Sequence, residues 1–246
     1  MDQSEQSPEA TGLTTVKDLA ALLDYPVEAA PLSSERISAE VRRAASLKLA
    51  SVSVPSGEAD MAVRILEGSS TAAASLVGYP FGAGSTAAKL YEARDLLRRG
   101  VKEIEFVVNL GKLESRQFQY VESELLQISN SCKEYGAMLK IVLEASRLGE
   151  DLKVIACKIA KRVEASMVVS AAYPLPDSGP DADLLLLKRV SKDVCAVSGC
   201  VDGIDQALSR HGMGCARLRC VTPEETLLAF KQRLDATAAP SGGIPA

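Results

Sequence analysis

The sequence holds one histidine, His211, no tryptophan, and only 4% aromatic residues. A single imidazole excludes any centre built on two histidines, and no metal site is expected. It also makes Ser-His-Asp or Cys-His chemistry depend on one residue. Long apolar runs are missing too. None approaches the roughly 18 residues of a membrane span, so no membrane partner is expected. The opening stretch, MDQSEQSPEATG, is acidic and polar, unlike a secretory signal or an Arg-rich transit peptide. No excess of basic charge exists, because the net charge is −4, so no nucleic-acid partner is expected. Cys-x-x-Cys is absent. The six cysteines are Cys132, Cys157, Cys195, Cys200, Cys215 and Cys220. Two pairs share a five-residue spacing, which is odd, so in a strand the partners face opposite ways. Buried, reduced thiols in a cytoplasmic protein are the expectation. No cofactor is expected.

What is present is an ordinary globular composition, 47% hydrophobic and 24% charged over 246 residues. Residues 1–14 and 236–246 read as disordered tails, rich in polar residues, Gly and Pro. Between them, residues 15–235 show no shift in composition and read as one domain. Eight short apolar runs stand out: Leu22–Val27, Leu49–Val54, Ala74–Tyr79, Glu103–Leu110, Met138–Glu144, Ser166–Ala171, Asp193–Val197 and Ala216–Val221. Most are apolar on both faces, as buried parallel strands are. Amphipathic segments alternate with them: 34–47, 86–99, 118–135, 152–164, 181–191, 203–210 and 223–234. Ser33 is a good N-cap for the first, although Arg36 stands where a full capping box needs Glu or Gln. Gly100 and Gly136 are stop signals. The rhythm is that of an α/β protein, a (β/α)8 TIM barrel. An open doubly wound sheet is disfavoured because no Gly-x-Gly-x-x-Gly follows the first strand.

Barrel chemistry sits at the C-terminal ends of the strands. Charges inside otherwise buried runs are therefore the candidates: Asp24 in the first strand, Glu105 and Asn109 in the fourth, Lys140 and Glu144 in the fifth. An unpaired buried charge is costly, so each needs a partner or faces the mouth.

The residues resemble a known family. Gly78-Tyr79-Pro80-Phe81-Gly82-Ala83, followed by Lys89-Leu90-Tyr91-Glu92-Ala93, resembles the third-strand motif of deoxyribose-phosphate aldolases. So do Glu103-Ile104-Glu105-Phe106-Val107-Val108-Asn109-Leu110-Gly111, with Tyr120-Val121-Glu122 after it, and Leu139-Lys140-Ile141-Val142-Leu143-Glu144. The resemblance runs over residues 17–235 in one register. It implies a class I aldolase barrel, in which a lysine forms a Schiff base and splits 2-deoxyribose 5-phosphate into acetaldehyde and glyceraldehyde 3-phosphate.

The resemblance also locates departures. The family's Schiff-base lysine, in Val-Lys-Thr-Ser-Thr-Gly, falls on Val169, and its second lysine, in Lys-Ala-Ser-Gly-Gly, falls on Ala196. The catalytic Asp falls on Glu105, one methylene longer. The Cys of Cys-Val-Asn falls on Ser53, and Asp-His on Asp24-Tyr25. The phosphate stations become Tyr173, Gly199-Cys200 and Arg219-Cys220-Val221-Thr222-Pro223. A Tyr blocks close backbone approach and Pro223 has no N–H, which leaves Gly199, Thr222 and Arg219 to meet an anion.

No catalytic residue is therefore expected; Asp24, Glu105, Lys140, Val169 and Ala196 form a vestigial site. Lys140 reads as a paired structural charge, with Asp24 and Glu105 as its partners. Arg217 and Arg219 share a strand face and read as an ion pair covering a helix. His211 reads as a helix C-cap cation, and Ser170 and Ser198 as barrel filler. The expected function is a catalytically inactive aldolase-like protein reused for protein binding or scaffolding, with actin or another cytoskeletal protein suggested by aldolase-class analogy. A homodimer is the expected assembly. The alternative is a weak or altered aldolase, or carbonyl chemistry using Lys140.

Overall fold

A computed structural model describes residues 12–27, 32–172, 181–192 and 195–238. Of the two segments expected as tails, only 12–14 and 236–238 are among them, and 236–238 belong to the last helix. Tyr173, Asp193 and Val194 lie outside the described residues.

Eight strands form a closed parallel barrel: β1 Leu23–Pro26, β2 Ser51–Ser53, β3 Ala72–Val77, β4 Glu103–Val107, β5 Met138–Val142, β6 Met167–Val169, β7 Ala196–Val201 and β8 Arg217–Cys220. Each pairs with its neighbours in sequence, and β8 closes on β1 with Asp24 opposite Arg219. Ten α-helices are described: α1 Val16–Ala20, α2 Ser34–Leu47, α3 Ala59–Ile65, α4 Thr86–Arg98, α5 Leu110–Glu114, α6 Phe118–Glu134, α7 Glu150–Arg162, α8 Asp181–Ser191, α9 Gly203–Gly212 and α10 Pro223–Ala238. The (β/α)8 TIM barrel read from the sequence is the fold.

Local chemistry explains the elements. The Ser33 hydroxyl accepts from the Arg36 N–H, and Lys48 ends α2 in the left-handed region at φ 56. At α1 the Thr15 hydroxyl accepts from the Asp18 N–H at 3.2 Å, while the Asp18 carboxylate accepts from the Thr15 N–H at 2.8 Å. That reciprocal cap starts a helix where the sequence pattern had shown only the start of the domain. β4 stops at Val107 rather than Leu110, because Asn109 turns to cap α5, accepting from the Lys112 N–H at 3.1 Å. β7 starts later than the expected Asp193–Val197 and runs on through Gly199 to Val201. A Cβ on Gly199 would meet Leu184 at 3.1 Å and Arg210 at 3.4 Å, so this position lets α8 and α9 close on the strand.

Strand alternation sorts the side chains. Ile104 and Phe106 of β4 face the helices, with Val52, Ile141, Val168, Val197 and Leu218 in the same large apolar core. Glu103, Glu105 and Val107 take the opposite face, toward the lumen.

Candidate functional site

Two layers fill the lumen. The upper one is apolar: Leu76, Val107, Val142, Met167, Val169 and Ala172 form a cluster of their own, with Ala196 against it, Met167 and Ala196 being the first residues of β6 and β7. Val107, Val142 and Val169 are each the last residue of their strand. Val169, where the resemblance looks for the Schiff-base lysine, thus presents only hydrocarbon at the strand end where a barrel keeps its chemistry, and Ala196, the other station, begins β7 lower in the wall.

Beneath lies a charged layer. Lys140 is fully buried, and its Nζ sits 2.9 Å from Asp24, 2.6 Å from Glu103 and 3.5 Å from Glu105. Strands β1 and β5 stand on opposite sides of the eight-stranded barrel, so the Asp24–Lys140 contact passes through the lumen. Arg217 donates through Nε to Asp24 at 2.9 Å and through a terminal nitrogen to Asp24 and to Glu103, the latter at 3.1 Å. Arg219 donates to Glu105 at 2.6 Å and to the Ala172 carbonyl. The Ser51 hydroxyl donates to Asp24 at 2.6 Å, and the Ser53 hydroxyl to Glu105 at 3.1 Å. Three carboxylates and three cations therefore balance inside the barrel.

The electrostatics follow from the pairing. Burial alone would raise the Asp24 carboxyl, but Lys140, Arg217 and the Ser51 hydroxyl outweigh it and hold it down to about 2. Burial likewise opposes the Glu105 carboxylate, and Arg219 and Lys140 overcome it, so its pKa lies below the ordinary range. Burial would lower Lys140; Asp24, Glu103 and Glu105 reverse the direction and hold the ammonium form. A Schiff base needs the opposite, a neutral amine.

Asp24, Glu105 and Lys140 are thus brought together. The phosphate candidates are not. Gly199 is inside the wall, in register with Leu218 and against the helix layer. Arg219 is in the lumen, engaged by Glu105. Thr222 lines a surface cleft with Tyr25 and Arg43, and Tyr173 is outside the described residues. One sequence expectation is corrected here: Arg217 and Arg219 do not cover a helix. They share the lumen face of β8, because their outward neighbour Leu218 fills the helix-facing core. Glu103 was missed as a site residue. It lies two positions before Glu105, and the two-residue strand period puts both on one face. Ser170 and Ser198 are buried, and among the described residues their hydroxyls find no hydrogen-bond partner.

At the rim, Glu144, two residues beyond β5, has φ 46, and its carboxylate accepts from the Ala172 N–H at 2.6 Å. Burial pushes this carboxyl up, against the Ala172 hydrogen bond and the charges of Arg147 and Arg219. With Arg219 on its carbonyl, the Ala172 peptide is held from both sides. The Gly78–Ala83 segment is also held by packing. A Cβ on Gly82 (φ 65) would come within 2.3 Å of the Val108 carbonyl oxygen, so only glycine lets this loop rest on the end of β4. Lys89 secures the loop from below, donating to the Gly82 carbonyl at 2.7 Å and to Glu124 at 2.8 Å. The motif residues that carry the family resemblance here hold backbone in place.

Known proteins resemble this chain in sequence and in fold. No family model matches the chain. The chain is 26% identical over 204 residues to deoxyribose-phosphate aldolase of Clostridium perfringens, covering 82% of this chain and 91% of that protein. Over most of its length the chain is thus similar to deoxyribose-phosphate aldolases. Solved structures share the barrel. An aldolase designated QR15 superposes with a TM-score of 0.82 at 21% identity, over 90% of this chain and 99% of that one. Deoxyribose phosphate aldolase from Aeropyrum pernix, described as a tetramer, gives 0.80 at 21% identity, over 94% and 99%. Against that similarity stand Val169 and Ala196, at the two stations where the sequence resemblance looks for lysines.

Proposed function

We propose that this chain is a non-catalytic member of the deoxyribose-phosphate aldolase family that acts by binding other proteins. One observation carries the reading: the lumen lysine, Lys140, is fully buried and caged by Asp24, Glu103 and Glu105. Imine formation requires a neutral nitrogen with an open path to a carbonyl carbon. The cage favours the charged nitrogen and leaves it no exposed surface. Val169 brings no nucleophile to the mouth and Ala196 none to the start of β7, and the apolar cluster they share with Val107 and Val142 supplies no proton donor. The alternative of weak aldolase or other carbonyl chemistry at Lys140 would require that cage to open.

The compartment in this reading is the cytoplasm. All six cysteines are buried and free of disulfides, as reduced thiols in a reducing compartment are. Among the described residues no helix is long and apolar enough to cross a membrane. Self-association as a homodimer belongs to the same proposal. A cytoskeletal partner such as actin rests on aldolase-class analogy.

The test is incubation with 2-deoxyribose 5-phosphate and borohydride, read by intact mass. The expected result is unmodified protein. A stoichiometric reduced adduct overturns the proposal, and mapping it to Lys140 would establish the alternative.

A further inference from the structure

The helix layer leaves a seam between α2 and α10 that the fold itself does not fill. Two clefts meet there, of about 430 and 340 Å3, both bordered by Glu224 and Leu228. The floor of the larger one is apolar, made by Val16 of α1, Leu47 of α2, and Leu227 and Leu228 of α10. Leu228 is 56% exposed, whereas its neighbours Leu227 and Phe230 are buried. A large aliphatic side chain on an otherwise amphipathic helix is thus directed into the open seam rather than the core.

The rim is basic. Lys17, Lys48 and Lys231 surround the floor, against one carboxylate, Glu224, which Arg43 already engages at 3.2 Å. Among the described residues none of the three lysines has a carboxylate partner. Elsewhere on the helix layer some cations are matched, Arg99 with Asp60, Arg116 with Asp151, Lys133 with Glu164, Arg162 with Glu122 and Arg233 with Asp205, while Arg36, Arg64, Lys158 and Lys161 have no carboxylate partner among the described residues. The seam combines three such lysines with an apolar floor.

We propose that this seam is the docking groove for an acidic amphipathic helix of a protein partner, its aliphatic side chains on the Leu47–Leu228 floor and its carboxylates on Lys17, Lys48 and Lys231. The inference rests on the binding reading above and names the chemistry of the partner. A helix fits better than a strand for a topological reason. The barrel is closed, so no sheet edge is open for a peptide to extend. The groove is instead walled by two helices, the setting in which a third helix places residues three and four apart into a cleft.

The experiment is selection from a displayed library of helical peptides against the full-length chain, followed by fluorescence anisotropy of the selected peptides. The expected peptides carry apolar residues at three- and four-residue spacing flanked by Asp or Glu, and their binding weakens as salt rises. Lys17→Glu with Lys231→Glu should weaken binding at least about tenfold, and Leu228→Asp should do the same without changing the melting temperature of these exposed positions. Selected peptides that are basic, or that bind both variants as tightly as the parent, overturn the proposal, as does a selection that yields no binder. Two further results also overturn it. One is a variant that changes the sedimentation of the chain alone, which would make the seam a self-interface. The other is loss of binding to vesicles of anionic lipid, which would make it a membrane surface. The borohydride test reads lumen lysines that these substitutions leave in place, so the two proposals can fail separately.

Discussion

The two layers of the lumen solve opposite problems with neighbouring residues of the same strands. The upper layer of Val107, Val142 and Val169 needs no partners and buries hydrocarbon at the mouth. The lower layer of Asp24, Glu103, Glu105, Lys140, Arg217 and Arg219 buries six ionic groups, and each must be answered by another. A catalytic barrel would place a titratable group at the mouth with its pKa shifted toward the form the reaction needs. Here charge has been kept one layer deeper and cancelled. The contrast teaches that a buried lysine with a shifted pKa is a sign of chemistry only when the direction of the shift favours the reactive form.

The sharpest way to break this comparison is Lys140→Met. Removing one cation leaves Asp24, Glu103 and Glu105 facing Arg217 and Arg219 alone. Urea unfolding should show a loss of about 3–5 kcal/mol. A loss below about 1 kcal/mol would mean that the lower layer is not a cooperating ionic network. Lys140→Met with Asp24→Leu, which removes one charge of each sign, should recover part of that loss.

Next comes the reverse experiment on the upper layer, Val169→Lys with Ala196→Lys. Two amines would return to the stations implied by the family resemblance, yet little aldolase activity is expected. Arg219 is engaged by Glu105, Gly199 faces the helix layer, and Glu105 sits in an ion pair, so phosphate and carbonyl alike lack positioned partners. Overpacking and buried charge should destabilise the barrel by roughly 1–3 kcal/mol. A coupled assay for glyceraldehyde 3-phosphate with a melting control reads both effects. Turnover near that of an active family member would show that the two lysines were the whole defect.

Acid should act on the lower layer alone. The folded pKa of Asp24, about 2, lies below its ordinary 3.8, so the carboxylate form is the one that folding favours. Its contribution, on the order of 2 kcal/mol, is fully present above pH 3.8 and is lost as pH falls toward 2. Asp24→Asn should flatten the acid limb of stability measured by denaturant titration between those values. The smallest effect belongs to the rim. Glu144 has a raised pKa, so its sign is opposite, and ionisation in the unfolded chain takes stability away as pH rises through the ordinary carboxylate range. Glu144→Gln keeps an oxygen for the Ala172 N–H and removes that loss. A gain under about 1 kcal/mol near neutral pH is expected, with no change at low pH.

Much of the architecture was legible in the residues. Apolar runs alternating with amphipathic segments are local patterns, and each reports the burial of its own stretch. Where they misled, another local interaction had intervened: Asn109 turning from strand to cap, and Gly199 continuing a strand because helices crowd it. The cap at Thr15 was written in Thr15 and Asp18, three apart, and could have been read.

The charged residues divide differently. Sequence alone determined that Val169 and Ala196 carry no amine, since the identity of a side chain needs no fold to establish it. It also determined that Glu103 and Glu105 share a face, as do Arg217 and Arg219, since strand period is local. Which charge answers which was settled only by the tertiary structure. Lys140 meets Asp24, 116 positions away, and Arg217 meets the same carboxylate from 193 positions away. Barrel closure alone brings those strands around one axis, and in the low dielectric of that lumen every unmatched charge is too costly to leave alone.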